Sequence, residues 1–88
     1  MNLVAMIGIV DSIKRKDDIT NILLKVEKPF LHDAGVDDFY DKINVNLNNI
    51  LFKDFLKIIA KGSLIGLKGR IVIDNELNKI QVDKLQIF

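Results

Sequence analysis

The sequence predicts an all-β domain of five strands, with one helix inserted between the third strand and the fourth. Three observations carry that expectation. Stretches of period-two alternation recur along the 88 residues, separated by charged or turn-forming clusters. One segment, beginning at Ile50, instead repeats its apolar residues at helical spacing. The segment after it, Lys61-Gly62-Ser63-Leu64-Ile65-Gly66-Leu67-Lys68-Gly69-Arg70-Ile71-Val72-Ile73, reads as one long strand. Ile65, Leu67, Ile71 and Ile73 share a face there, with Lys68 and Arg70 on the other. Gly66 and Gly69 mark the bulge or sharp bend that a small barrel needs in order to close.

The first strand covers residues 2–14. Both of its alternating sets are apolar, Leu3, Ala5, Ile7 and Ile9 on one side and Val4, Met6 and Val10 on the other. A strand of that kind is covered twice, once by its own core and once by something else, and a second subunit is the natural candidate. Gly8 suits a bend, and Lys14-Arg15-Lys16-Asp17-Asp18 reads as a charged turn. Residues 19–28 form the second strand, with Ile22, Leu24 and Val26 inward and Asn21, Leu23, Lys25 and Glu27 outward. Pro29 ends it by removing a ladder donor. Phe30 to Asp41 has no period and reads as a long loop. The third strand, residues 42–48, sends Ile43, Val45 and Leu47 inward and Lys42, Asn44, Asn46 and Asn48 outward.

Asn49 is placed to cap a helix that carries Leu51, Phe55, Ile58 and Ile59 on its apolar side and ends at Gly62. After the glycine-bearing fourth strand, Asp74-Asn75-Glu76-Leu77-Asn78 is a short hairpin connection. The fifth strand runs from Lys79 to Phe88. Its apolar parity switches between Ile80, Val82 and Leu85, Ile87, which predicts a bulge near Asp83-Lys84. The order β-β-β-α-β-β is that of the OB-fold, a five-stranded Greek-key barrel, with residues 1–88 forming one domain. An SH3-like barrel has no helix at that place and ranks second.

Composition narrows the chemistry. There is no cysteine, which removes disulfides, thiolate catalysis and cysteine metal sites, and is compatible with a reducing cytoplasm. No apolar run reaches the ~20 residues of a membrane helix, and the start of the chain lacks the features of a signal peptide. His32 stands alone, so a zinc site is not expected, and Asp33, Asp37, Asp38 and Asp41 match no calcium loop. No cofactor is expected. Neither a nucleophile triad nor a phosphate-cradling glycine loop is present, so the chain does not read as an enzyme. The net charge is only +1, but residues 42–70 carry six Lys or Arg against the single Asp54, while residues 31–41 carry four Asp and no Lys or Arg. A neutral chain can therefore present a basic face.

The chain resembles the bacterial and phage single-stranded DNA-binding proteins at four places in order. Asn2-Leu3-Val4-Ala5-Met6-Ile7-Gly8 is similar to their opening strand, and Asn21-Ile22-Leu23-Leu24 followed by Phe30 to their second strand and the aromatic after it. Lys61 to Ile71 is similar to their fourth strand, and Val82-Asp83-Lys84-Leu85-Gln86-Ile87-Phe88 to the end of their fifth. The resemblance implies single-stranded DNA as the partner, a homodimer or homotetramer, a cytoplasmic, nucleoid-associated location, and an accessory role in replication, recombination or repair. The departures imply a minimal member. Lys42, Asn44, Asn46 and Asn48 stand where the family carries outward aromatics, and there is no tryptophan. The long hairpin arm and the acidic C-terminal tail that recruits partner proteins are also expected to be missing.

Binding single strands takes cations for phosphates and flat side chains for bases. On an OB barrel the groove crosses the second and third strands. The expected contacts are Lys25, Lys42, Asn44, Asn46, Lys68 and Arg70, with Lys14, Arg15 and Lys16 at one rim. Phe30 is the expected stacker, with packing beneath its loop as the alternative. Phe39 and Tyr40 read as loop anchors, with Tyr40 also an expected nucleic-acid contact. Phe52 and Phe55 read as helix core or subunit contact, and Phe88 as terminal packing. Outward polar residues also serve solubility alone, which leaves a protein-interaction module without nucleic-acid binding, and RNA binding, as alternatives.

Overall fold

A computed structural model describes residues 1–28 and 39–88; Phe30, His32 and the acidic residues up to Asp38 lie outside the described residues. Five strands, β1 (Val4–Arg15), β2 (Ile19–Glu27), β3 (Tyr40–Asn48), β4 (Leu64–Asp74) and β5 (Leu77–Ile87), close into a barrel in the order β1-β2-β3-β5-β4. A short helix, α1 (Lys53–Leu56), lies between β3 and β4. The predicted all-β class and element order are those of the molecule. All neighbouring strands run antiparallel except β3 and β5, which pair in parallel through Val45–Ile80 and Asn46–Gln81.

Strand β1 closes the barrel by serving two partners, β4 along Val4–Ile9 and β2 along Ile9–Arg15. The register slips at Asp11, between Val10 and Ser12, so the bulge falls three residues after the glycine. Gly8 serves a different purpose. A Cβ there would lie 2.6 Å from the Lys25 carbonyl oxygen and 2.8 Å from Leu24 Cγ, so only glycine lets β1 pass this close to β2. The second bulge is at Asp83, opposite Lys68 and Gly69, as the parity switch in β5 predicts.

Inside, Val10, Ile22, Leu24, Val45, Leu47, Ile65, Leu67 and Val82 are buried. Each comes from the inward set of its strand, and burying a side chain of this size contributes about 1.5–3 kcal/mol. Phe52, Leu56 and Ile59, from the helical connection, join the same buried core. Beside them Thr20 is fully buried and donates its hydroxyl to Asn49 Oδ1 at 2.6 Å.

Expectations about the helix and about the fourth strand are corrected here. The helix spans four residues instead of running from Ile50 to the Gly62 turn. Asn48 Oδ1 accepts the backbone N–H groups of Ile50 and Leu51 at 2.9 and 3.0 Å, which turns the chain before helix can begin. Asn49 is thereby freed for Thr20 and does not cap the helix. The shortened helix buries Phe52, Leu56 and Ile59, while Leu51 and Ile58 are exposed. The second correction concerns Ile71 and Ile73, also exposed despite sharing parity with Ile65 and Leu67. Pairing of β1 with β4 ends at Val4–Gly69, pairing of β3 with β5 at Val45–Ile80, and beyond Ile71–Ile80 β4 and β5 continue as a two-stranded ribbon. The ribbon turns over Asn75 and Glu76, whose φ values of 50° and 65° make a two-residue hairpin in place of the expected five-residue connection.

Candidate nucleic-acid interface

Alternation fixes what stands on the outside of β2 and β3. Because Ile22, Leu24, Val45 and Leu47 point inward, Asn21, Leu23, Lys25, Lys42, Asn44 and Asn46 stand outward. The register then sets them in rows. Lys14, Asn21, Asn46, Gln81 and Arg70 are successive cross-strand partners through β1, β2, β3, β5 and β4. Two residues along lie Ser12, Leu23 and Asn44. Two further lie Lys25 and Lys42, about 14 Å from the Asn21–Asn46 row at ~3.4 Å per residue. Glu27 and Tyr40 pair at the end of the face.

A groove of about 520 Å³ runs between this face and the β4–β5 ribbon. Asn21, Asn44 and Asn46 line it with Lys14, Lys16 and Lys79. Lys14 and Lys16 form no ion pair among the described residues, and both are exposed. Lys79 Nζ lies 3.1 Å from Asp74 Oδ2.

The cations further along the face carry carboxylate company. Asp11, outward next to the buried Val10 and left unpaired by the β1 bulge, lies 3.8 Å from Lys25 Nζ and 3.6 Å from Lys42 Nζ. Lys25 Nζ also lies 5.8 Å from the centroid of the Tyr40 ring, within cation–π range. Tyr40 and Phe39 are exposed, so neither is the buried anchor that the sequence suggested. Arg70 Nε lies 3.9 Å from Asp83 Oδ1. Pairs this long and this exposed are worth about 0–1 kcal/mol, so an incoming phosphate can displace them.

The structure brings Lys14, Lys16, Lys25, Tyr40, Lys42, Asn44 and Asn46 onto one face, with Arg70 reached through Gln81 at the end of the amide row. It sets two expected contacts elsewhere. The sequence pattern puts Arg15 in a turn, but β1 continues through it, so its side chain takes the opposite pleat from Lys14. Its Nη2 donates to the Leu56 carbonyl oxygen and ties β1 to the end of α1. Lys68 is registered with Ala5 and Lys84 on the far side of the barrel, away from the groove. Asp11, Asn21, Lys79 and Gln81 belong to the face as well. Only their outward parity was readable, because rows depend on cross-strand register.

The far side carries an apolar row beside Lys68 and Lys84. Leu3, Ile7 and Ile9 of the β1 segment are exposed there, with Leu64 and Phe88. A recess of about 720 Å³ lies among Ala5, Ile7, Gly66, Lys68 and Phe88. Gly66 leaves room for the Phe88 ring, since a Cβ would sit 3.0 Å from its Cε2. Among the described residues no group of His, Asp or Glu is arranged to hold a metal ion, and no helix is long and apolar enough to cross a membrane.

A closed five-stranded barrel with one short helix between β3 and β4 is an OB-fold. Among solved structures with this fold, the dimeric N-terminal domain of PriB protein from Thermoanaerobacter tencongensis superposes with a TM-score of 0.74 at 15% identity, covering 99% of this chain and 96% of that one. Rim1, a mitochondrial single-stranded DNA binding protein from S. cerevisiae, gives 0.72 at 13% identity, covering 97% and 91%. The small single-stranded DNA-binding protein from Streptomyces coelicolor gives 0.66 at 15%, covering 98% and 91%. At 13–15% identity these likenesses establish a shared fold. No protein-family model and no curated protein matches the sequence.

Proposed function

We propose that this chain is a single OB domain that binds single-stranded DNA along the outer face of β2 and β3, tolerating any sequence. The observation that carries the reading is the gathering of Lys14, Lys16, Lys25 and Lys42 along one face bordered by a groove. Neighbours of the same fold that are themselves single-stranded DNA-binding proteins support it. Phosphate contacts dominate, and Tyr40 supplies a ring at one end. Phe30 is proposed as a further stacker. The role is binding without catalysis, accessory to replication, recombination or repair, in the cytoplasm at the nucleoid. The apolar β1–β4 side is proposed to meet a second copy, a reading supported by the dimeric PriB domain.

Titrating a mixed-sequence single strand at two salt concentrations tests the proposal. If the four lysines each neutralise a phosphate, log K falls against log salt with a slope of about −3, at ~0.7 per contact. Absence of binding at low salt refutes it. One observation favours the alternative of a protein-assembly module: Asp11 partly neutralises both Lys25 and Lys42. That module would ignore nucleic acid in the same titration, and an RNA strand run in parallel separates the remaining reading.

A further inference from the structure

Cations hold the phosphates of a single strand, but its bases also need a surface to lie against. No aromatic side chain lines the groove among the described residues, and its hydrophobic side chains there are Ile19 and Leu77. Ile19 takes the outward pleat of β2 with Asn21, because Thr20 and Ile22 are buried on the other. Leu77 precedes Lys79 and Gln81 on β5 at steps of two, and pairing with the outward Asn46 puts Gln81 on the same face. The face thus supplies one aliphatic side chain and the ribbon the other. Neither belongs to the barrel's core, and Ile19 is 40% exposed and Leu77 63%. Among Lys and Asn they are the groove's apolar surface, and covering such surface is favourable.

The exposed Lys14 and Lys16 in the same groove select a polyanion. A polyanion made only of phosphate has no apolar part to set against Ile19 and Leu77, whereas every nucleobase has a π-face. Leu and Ile side chains are known to press on bases as wedges in proteins that unstack duplex steps. We propose that Ile19 and Leu77 are base-contacting residues, which cover base faces in a groove that has no rings. This rests on the single-strand reading above and deepens it. Contact with a base face involves no donor or acceptor on the base edge, so it adds affinity without choosing a sequence. The lysines grip the backbone, and the aliphatic pair takes the bases.

The experiment compares wild-type protein, Ile19→Ser, Leu77→Ser, Ile73→Ser and Lys14→Ala on a mixed-sequence single strand and on an abasic strand of the same phosphate count. Circular dichroism melts establish that each variant is folded, and Leu77, exposed beside the hairpin turn, keeps the test alive should Ile19→Ser unfold. Ile19→Ser and Leu77→Ser should each weaken binding of the base-bearing strand about threefold to tenfold, the effect of losing one apolar contact. Neither should change binding of the abasic strand or the salt slope. Ile73 is 77% exposed on the same ribbon but does not line the groove, so Ile73→Ser should behave as wild type on both strands. Lys14→Ala should weaken both strands alike and lower the slope by about 0.7. Equal losses on the two strands for Ile19→Ser and Leu77→Ser, no loss on either strand, or an Ile73→Ser loss matching that of Leu77→Ser overturns the inference while leaving single-strand binding intact. Failure of wild-type protein to bind either strand removes the underlying reading instead.

Discussion

The two outer faces of the barrel are built from the same alternation and have opposite character. Along β2 and β3 every inward residue is aliphatic or Thr20, and most of what stands outward is Lys or Asn. Along the first half of β1 the outward set, Leu3, Ala5, Ile7 and Ile9, is as apolar as the inward one. An outward Lys or Asn keeps its hydration and asks for no partner. An exposed aliphatic row leaves apolar surface in water at roughly 25 cal/mol per Å², and association relieves that cost. One face is thus suited to a polyanion that comes and goes, the other to a lasting contact.

The largest expected effect breaks the apolar face. Ile7→Asp puts a carboxylate at the centre of that surface, where an unpaired buried charge costs several kcal/mol. Light scattering should find wild-type protein at twice the 10.0 kDa chain mass or more and the variant at the chain mass. Because Ile7 is 59% exposed, the barrel itself should melt close to wild type. Wild-type protein running as a monomer would end the comparison, since the apolar row would then lack the partner that explains it.

The next effect belongs to the polar face. Replacing Lys25 and Lys42 together by Ala should weaken single-strand binding about tenfold at low salt and reduce the salt slope by about 1.4, at ~0.7 per phosphate contact. Oligomeric mass should not change. An unchanged slope would mean that phosphates pass elsewhere, and Arg70 with Lys14 would become the line to follow.

How much of this contrast can be read without coordinates depends on whether a feature is local. The buried pairs Ile22–Leu24 and Val45–Leu47, the doubly apolar β1 and the bulge at Asp83 all follow from parity within one strand. The helix failed because its start was decided by Asn48, whose short side chain bonds the next backbone N–H groups and makes a turn of what spacing alone presents as helix. Arg15 failed because one more residue of β1 than expected turns a run of three cations into an alternation, Lys14 and Lys16 to one side and Arg15 to the other. Lys68 and Arg70 share a strand face but not neighbours, because β4 leaves β1 at Gly69 and goes on with β5 alone. Register and strand exit are properties of the closed barrel, and period-two patterns carry neither.

The smallest effect has the most informative sign. Asp11 stands outward next to the buried Val10, at the bulge of β1, and it meets Lys25 and Lys42 at 3.8 and 3.6 Å. Either it competes with phosphate for the two ammonium groups, or it holds them in place for phosphate to use. Competition is the stronger term here, because the pairs are long, and a lysine stem on a strand needs no tether to stay on its face. Asp11→Asn keeps the shape of the bulge and removes one negative charge about 4 Å from each lysine, worth on the order of 1 kcal/mol near a solvated surface. Single-strand affinity should therefore rise about threefold to fivefold at low salt. The gain should vanish near 1 M salt, where the screening length shrinks to about 3 Å. Weaker binding by the variant would reverse the assignment and make Asp11 the support on which the cationic row depends.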